Sequence, residues 1–227
     1  MKRSKVNEIL REGDAFIRSF GYVMPPFADW TPDEMKRRRD SIGGIVDASL
    51  GWDITDYGRG DFDRCGLFLF TVRNGNQEDL KHGRGMLYAE KIMISRRDQL
   101  APMHTHAIKA EDIINRGGGT LCLELFASDA EGNIDRTAPV SVPTDGVMRR
   151  LDAGGVLRLE PGESVTLLPG TWHAFWGEKK DVLIGEVSTV NDDVTDNIFA
   201  DPVSRFSDIE EDEDPYRLLV SDYPRWL

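Results

Sequence analysis

The segment His104-Thr105-His106-Ala107-Ile108-Lys109-Ala110-Glu111 places two imidazoles and a carboxylate close together in the chain. Residues two apart on a β-strand point to the same face, so His104 and His106 can bring two imidazoles to one metal ion. Glu111 can supply an oxygen ligand from the neighbouring strand. Much later, Pro169-Gly170-Thr171-Trp172-His173 places a third imidazole just after a tight turn. An isolated His-x-His pair is more often solvated or hydrogen-bonded, but the two further residues favour a metal site. The predicted ligands are His104, His106, Glu111 and His173.

Short runs rich in Val, Ile, Leu and Phe surround these histidines, and turn residues separate the runs. Examples of the turn sequences are Asn74-Gly75-Asn76, Gly117-Gly118-Gly119 and Pro161-Gly162-Glu163. Many short strands at this spacing are typical of an antiparallel sandwich or barrel. The predicted strands are Leu67–Val72, Met86–Ser95, Thr120–Ala127, Val147–Leu151, Val156–Leu159, Val165–Leu168 and Val182–Val190.

The first sixty residues have a helical pattern instead. Apolar residues between Ser4 and Phe20 recur at helical spacing, which predicts an amphipathic helix. A second helix is predicted to begin at Thr31-Pro32-Asp33-Glu34. Thr31 can cap the helix, proline suits its first position, and Glu34 can return the capping hydrogen bond.

The composition limits the partners of the chain. In 227 residues, 28 Lys and Arg stand against 40 Asp and Glu, which gives a net charge of −12. This acidity disfavours nucleic acid and anionic membranes as partners. No stretch has the length and apolar character of a membrane helix or a signal core, so we expect a cytoplasmic protein. Cys65 and Cys122 are expected to be reduced, buried thiols.

The spacing of the histidines resembles a known pattern. His104-x-His106-x4-Glu111-x6-Gly118, followed by Gly162-x5-Leu168-Pro169-Gly170-x2-His173, resembles the two sequence motifs of the cupin superfamily. The resemblance implies a mainly β fold, a double-stranded β-helix barrel of the jelly-roll type, with a metal site of three histidines and one glutamate. Two positions depart from the pattern: Asp98 replaces the usual glycine of the first motif, and Leu168 replaces the usual proline of the second. Neither is a predicted ligand, so the metal prediction stands.

Longer segments narrow the resemblance to the cupin-type D-lyxose isomerases, over nearly the full chain. The segments are Leu50–Gly58, His104–Gly119, Gly185–Asp193 and Arg205–Glu213. The resemblance implies a manganese-dependent aldose–ketose isomerase, usually a homodimer, that interconverts D-lyxose with D-xylulose and often D-mannose with D-fructose. Zn²⁺, Co²⁺ or Fe²⁺ are alternatives to Mn²⁺. We expect a single cupin domain over residues 1–227: a helical region 1–60, a barrel 61–190, and a segment 191–227 closing over the barrel.

Isomerisation moves a proton between adjacent carbons through an enediolate, so the site needs a group that carries it. Lys109 lies two residues before Glu111 and is expected to share its interior face, although a surface position is the ordinary alternative. Glu186 lies in an apolar run, where a carboxylate is paired, functional or on a solvent face. In the lyxose isomerase pattern, a carboxylate of the acidic segment 208–214 folds over the barrel mouth. We assign that role to Glu210 or Glu211, with Glu210 favoured.

Several residues near the site have two interpretations. Trp172 and Trp176 could stack on a sugar but are favoured as core residues. The aspartates that follow the last long strand, Asp192, Asp193 and Asp196, either cap a loop or recognise hydroxyls. Gly117-Gly118-Gly119 lacks the helix start and the Lys-Ser/Thr of a phosphate loop, and no basic cluster lies near the histidines in the sequence. We therefore expect a free sugar as substrate.

Two rival functions remain for the same ligand set. The first is an iron-dependent cupin dioxygenase, whose substrate pocket is usually apolar. The second is a sugar-binding cupin without turnover. The candidate proton-transfer groups favour an isomerase over the second.

Overall fold

The computed structural model describes residues 1–227 and contains twelve strands and five α-helices. The helices are α1 (Arg3–Ser19), α2 (Pro32–Arg38), α3 (Gly43–Asp47), α4 (Gln77–Lys81) and α5 (Tyr223–Trp226). The strands are β1 (Gly51–Thr55), β2 (Leu67–Asn74), β3 (Tyr88–Ser95), β4 (Ala101–His106), β5 (Glu111–Ser128), β6 (Ile134–Asp135), β7 (Val140–Thr144), β8 (Val147–Leu151), β9 (Gly155–Leu159), β10 (Ser164–Leu167), β11 (Trp172–Thr189) and β12 (Asn197–Phe199). The prediction of a mainly β chain with N-terminal helices is confirmed.

Two long strands, β5 and β11, run antiparallel to each other and join the two sides of a barrel. The C-terminal part of β11 pairs with β3, which continues through β2 to β1, while its N-terminal part pairs with β4 and so with β12. Strand β5 pairs with β10 near its start and with β9 further along. The two halves of each long strand therefore belong to opposite sides of the barrel, whose apolar interior includes Leu69, Met93 and Ile113.

Strand β5 bends at Gly117-Gly118-Gly119, which the sequence predicted to be a turn between strands. The prediction of a turn was wrong, because the chain stays in the sheet through all three glycines. A Cβ on Gly118 would lie 2.1 Å from the Asp181 carbonyl oxygen. The buried Asn115 side chain holds the bend, since its amide donates to the Gly119 carbonyl at 2.9 Å and its oxygen accepts from the Gly117 N–H at 2.9 Å. Glycine is needed here because two backbones approach too closely for any side chain.

Helix α1 covers one outer face of the sheet, whereas Met35 of α2 packs against the C-terminal residues Leu218 and Tyr223. Helix α1 packs its predicted apolar stripe, which includes Ile9 and Ile17, against a cluster containing Phe68 and Phe70. Helix α2 begins with the predicted capping box of Thr31 and Glu34. The helical part differs from the expected range 1–60, because α3 ends at Asp47 and β1 follows.

Further sequence expectations concern single residues and the membrane. Asp98 has a backbone φ of 60°, so the aspartate adopts the left-handed conformation for which glycine is favoured, and which aspartate tolerates better than most residues.

Cys65 and Cys122 are both free thiols, with Cys122 buried and Cys65 half-buried. None of the helices has the length and apolar content of a membrane span.

Candidate functional site

Three histidines meet inside the barrel. His104 and His106 lie on β4, and His173 lies on β11, where it is the direct cross-strand partner of His104. One ring nitrogen from each histidine comes within 4.8 Å of the others. Glu111, the first residue of β5, approaches from the side, with Oε1 at 3.3 Å from the His106 Nε2 atom and 3.2 Å from the His173 Nε2 atom. The fold thus brings together all four residues that the sequence predicted as ligands.

Backbone carbonyls orient the three rings. The Nδ1 atom of His104 lies 2.8 Å from the Pro102 carbonyl oxygen, and that of His173 lies 3.1 Å from the Thr171 oxygen. The Nδ1 atom of His106 lies 3.2 Å from the Asp196 carbonyl oxygen. A carbonyl only accepts hydrogen bonds, so each Nδ1 carries the proton and each Nε2 keeps a lone pair. Fixing the tautomer in this way is the usual arrangement behind metal-binding histidines.

Two buried atoms at the centre of this cluster fit a cation. The His106 Nε2 and Glu111 Oε1 atoms have no hydrogen-bond partner in the structure, although both are inaccessible to solvent. Both atoms are acceptors in the tautomer just described, so their lone pairs face each other across 3.3 Å. Buried acceptors in such contact repel unless a proton or a metal ion lies between them. Three imidazoles and one carboxylate are a suitable donor set for a divalent transition metal.

A row of alternating charges continues from the metal cluster through the barrel. Lys109 Nζ lies 2.6 Å from Glu111 Oε2 and 3.1 Å from Glu186 Oε1. Lys91 Nζ lies 3.3 Å from the same Glu186 oxygen and 3.7 Å from Asp193 Oδ1.

Arg205 continues this alternating row beyond Asp193. Its Nη2 atom lies 3.1 Å from Asp193 Oδ2 and 2.7 Å from Asp53 Oδ2. Each cation in the row therefore lies between two carboxylates. The row consists of Glu111, Lys109, Glu186, Lys91, Asp193, Arg205 and Asp53.

The pKa directions in the row follow from this alternation. Burial would raise the pKa of Glu111, but Lys109 and the neighbouring histidines hold it well below its usual range. Burial would lower the pKa of Lys109, yet the Glu111 and Glu186 carboxylates raise it above its usual value. Burial and the neighbouring rings lower the pKa of His104 well below its usual value. At neutral pH the site therefore contains neutral His104, ionised Glu111 and a protonated Lys109.

The three histidines and every member of the charge row except Asp53 line one cavity. Apolar residues complete its lining, with Leu69 and Phe175 among them. A cavity with apolar walls and converging polar groups is typical of small-molecule sites.

The acidic segment lies elsewhere, which corrects one sequence prediction. Glu210 is exposed, and its backbone pairs with that of Met1 and Arg3 beside helix α1. Glu211 binds the buried Arg3 guanidinium through both carboxylate oxygens, each at 2.8 Å. Neither glutamate lines the cavity. The partner that fixes this segment is about 208 residues away in the sequence, so no local pattern could reveal it.

Two cavity residues were missed as site residues, and they correct the statement that no basic cluster lies near the histidines. Lys91 and Arg205 join Lys109 on the cavity wall. Lys91 could have been recognised from the sequence, because a lysine inside the apolar run 86–95 is as unusual as the glutamate Glu186 inside the apolar run 182–190. Because carboxylates neighbour all three cations, the wall has no surplus of positive charge for a phosphate group.

Of the residues with two interpretations, both tryptophans are core or wall residues, since neither lines the cavity. Trp172 is buried and donates to the Gly132 carbonyl. Asp193 lines the cavity, whereas Asp192 and Asp196 bind loop backbone.

Comparison with known proteins agrees with this arrangement. The family model described as D-lyxose isomerase matches residues 1–223. The chain belongs to the D-lyxose isomerase family. A family member from Serratia proteamaculans, named D-lyxose/D-mannose isomerase, is 48% identical over 230 residues, which cover 100% of both chains. Another of the same name from Escherichia coli O157:H7 is 43% identical, with 98% of each chain covered.

Solved structures support the fold assigned to this member of the D-lyxose isomerase family. The L-ribose isomerase of Cellulomonas parahominis with L-psicose superimposes with a TM-score of 0.60 at 15% identity, covering 92% of this chain and 98% of that chain. The L-ribose isomerase of Acinetobacter sp. DL28 in complex with L-ribose gives a TM-score of 0.60 at 14% identity, with the same coverage. The cupin barrel expected from the sequence is thereby confirmed.

Proposed function

We propose that this chain is an aldose–ketose isomerase that interconverts D-lyxose with D-xylulose, and D-mannose with D-fructose. One observation carries the proposal: a second carboxylate, Glu186, lines the same cavity as the three histidines and Glu111. The family and the names of its relatives agree with this chemistry. We infer an uncharged substrate because every cation that lines the cavity is paired with carboxylates, which leaves no positive charge to bind a phosphate group.

The metal ion belongs to this proposal. His104, His106, Glu111 and His173 would hold it, and we expect Mn²⁺, with Zn²⁺, Co²⁺ or Fe²⁺ as alternatives that the same donors accept. A divalent cation there supplies positive charge close to the sugar oxygens on which negative charge develops during isomerisation. Glu111, kept ionised by Lys109, serves as a ligand and is unsuited to be the base.

Glu186 is the residue that we assign to proton transfer. Its Oε1 atom lies between the ammonium groups of Lys109 and Lys91, and no hydrogen bond of the structure reaches its Oε2 atom. In the forward direction Glu186 takes the proton from C2 of the open-chain aldose and returns it to C1. The hydroxyl proton on O2 passes to O1, so that the aldehyde becomes an alcohol and C2 becomes the ketone. Holding one oxygen fixed leaves the other with a defined position from which to approach the carbon.

Lys109 acts in this scheme as a donor to the substrate. Its raised pKa keeps the ammonium protonated at neutral pH, so it can donate a hydrogen bond to the oxygen that gains negative charge. The same ammonium keeps Glu186 close to the metal cluster. A lysine that already has two carboxylate neighbours is poorly suited to be the base.

The far end of the cavity is suited to hydroxyl recognition. Arg205 lines the cavity, and its buried Nη1 atom has no partner in the structure. Asp193 faces the same space. We infer that these groups bind the hydroxyls most distant from the metal cluster, where a pentose and a hexose differ. The charged wall also favours a sugar over the apolar substrate expected for a dioxygenase.

The test is product formation from D-lyxose and D-mannose by protein stripped of metal, before and after Mn²⁺ is added. We expect ketose only in the presence of the metal, and the two rates rank the two sugars. Absence of ketose from folded, metal-loaded protein would contradict the proposed activity. Oxygen uptake by the iron-loaded protein would then identify the dioxygenase alternative, and sugar binding without turnover the non-catalytic one.

The expected homodimer, the single cupin domain and the cytoplasmic location also remain predictions. Two exposed apolar residues, Tyr88 on β3 and Val187 on β11, would support a contact between copies, since these two strands pair with each other. Sedimentation velocity of the purified chain measures the oligomeric state.

A further inference from the structure

Asp196 lies outside the proposed ligand set, yet its side chain binds the loop that carries the ligands. It is 3% exposed and precedes β12. Its Oδ1 atom accepts hydrogen bonds from the backbone N–H groups of Ala107 at 2.9 Å and Ile108 at 2.8 Å. Its Oδ2 atom accepts from the backbone N–H of Lys109 at 2.8 Å. Three consecutive amides thus point at one carboxylate, in the connection between β4 and β5.

The same residue also orients a histidine. The carbonyl oxygen of Asp196 faces the Nδ1 atom of His106 at 3.2 Å, which fixes the tautomer with a free Nε2 lone pair. The loop between His106 and Glu111 contains four residues, and Asp196 binds three of them through its carboxylate. One residue therefore sets the ring of one proposed ligand and the backbone between two of them.

We propose that Asp196 is a positioning residue for the metal site, and that it determines metal affinity without touching the metal. This inference rests on the metal site of the proposed function, but not on the identity of the sugar. Without the carboxylate, the N–H groups of the exposed Ala107 and Ile108 and of the buried Lys109 lose their common acceptor. The Lys109 N–H has no water to replace it, so the loop must move for this group to find a new partner. Such movement separates Glu111 from the histidines. Removal of groups that support metal ligands typically weakens metal binding by about 10- to 100-fold.

The test compares Asp196→Asn with Asp192→Asn. Asparagine keeps the size of the side chain, but it replaces one carboxylate oxygen with an NH2 group. That NH2 group then faces a backbone N–H donor and cannot accept its hydrogen bond. Asp192 is a matched control from the same loop, because its carboxylate also accepts from backbone, the N–H groups of Val194 and Thr195, at 2.9 and 3.0 Å. Its carboxylate makes no hydrogen bond to the segment between His106 and Glu111.

Mn²⁺ binding to each metal-free protein is measured by the loss of the free-ion signal in electron paramagnetic resonance, without any sugar. We expect a dissociation constant about 10- to 100-fold higher for Asp196→Asn, and a value within about twofold of wild type for Asp192→Asn. Equal affinity of Asp196→Asn and wild type overturns the inference. An equal loss of Mn²⁺ affinity in both variants would show that the effect comes from general disorder of the loop, and this result would also overturn the inference.

Folding is checked by near-ultraviolet circular dichroism of the metal-free proteins. If Asp196→Asn does not fold, Asp196→Ser replaces it, because the serine hydroxyl still accepts one hydrogen bond, and the same weakening is expected. A wild-type protein that binds no Mn²⁺ would overturn the metal site itself. Binding without isomerisation would overturn only the proposed activity and leave this inference standing.

Discussion

Lys91 and Glu186 are direct cross-strand partners on β3 and β11, and their Nζ and Oε1 atoms lie 3.3 Å apart inside the barrel. Both side chains are almost completely buried, each with about 4–5% exposure. Lys91 also donates to Asn191 at 2.7 Å. The pair therefore joins the proposed proton-transfer group to the segment that follows β11.

Lys91→Met removes a buried ammonium group that neighbours the carboxylates of both Glu186 and Asp193. Removing one partner of a buried ion pair costs about 3–5 kcal/mol of unfolding free energy, and the remaining Lys109 and Arg205 place the expected loss at the lower end. We also expect a fall in kcat that is larger than the change in KM, because Glu186 loses its orientation. Urea denaturation and steady-state kinetics measure the two effects, and Lys91→Arg should recover part of both. Unchanged kcat in Lys91→Met would contradict the assigned position of Glu186.

Glu186→Gln removes the proposed base but keeps the shape of the side chain. General base catalysis typically contributes about 10²- to 10⁴-fold to a rate, so kcat should fall by that amount. The metal content, measured by mass spectrometry, should be unchanged. Glu178→Gln on the same strand is the control, because Glu178 pairs with Arg158 outside the cavity and its loss should leave kcat unaltered.

His106→Ala should remove metal and activity together, since the variant loses the imidazole that faces Glu111. His82→Ala is the matched control, because His82 is exposed at the end of α4 and is the one histidine outside the cluster. Metal content and ketose formation are measured for both variants. Full turnover by a metal-free His106→Ala protein would refute the metal-dependent proposal.

The ion pair between Arg3 and Glu211 predicts a pH-dependent stability. The hydrogen bond from Arg3 lowers the pKa of Glu211 in the folded state. Its stabilisation is therefore complete above the unfolded pKa of about 4.3 and is lost as the pH falls through the lower folded value. Glu211→Gln should cost about 1–2 kcal/mol at pH 7. The difference from wild type should shrink toward about pH 3, as measured by urea denaturation. A difference that is constant with pH would contradict this account.

Gly119→Ala tests the bend in β5. A Cβ at this position would lie 2.4 Å from the Glu178 carbonyl oxygen and 2.5 Å from that of Lys180. The sheet must open to accept it, so we expect a loss of about 1–3 kcal/mol or more in unfolding free energy. Gly44→Ala is the control, since a Cβ there meets nothing within 4 Å. Equal melting temperatures of the two variants would show that the bend does not depend on glycine.

Much of the site could be predicted because its ligands belong to short motifs. His104, His106 and Glu111 lie within eight residues, and His173 follows a turn, so their spacing in the sequence predicts a common metal site. Lys109 was predicted to face the interior from its spacing to Glu111 together with the family resemblance. Glu186 was a candidate because it is a carboxylate in an apolar run.

The rest of the site depends on contacts between distant segments. Arg205 reaches the cavity through Asp53, about 152 residues away in the chain. Glu210 and Glu211 were placed at the barrel mouth, because no local feature shows that Arg3 holds this segment beside α1. In the fold, β2, β8, β9 and β10 lie close to their predicted ranges, whereas β1 and β7 were not predicted. Strand β1 contains a glycine and an aspartate, which are depleted in strands, so its composition does not indicate one.

The sharing of β5 and β11 between both sides of the barrel has a consequence for folding kinetics. Their hydrogen bonds join residues 111–128 to 172–189, and neither side of the barrel has a complete set of strands until these two segments pair. Such non-local pairing is slow, because a long loop must close before any contact forms. His106 and His173 meet through the pairing of β4 with β11, which is also non-local. Metal uptake by a refolding chain should therefore lag behind helix formation and report the closure of the barrel.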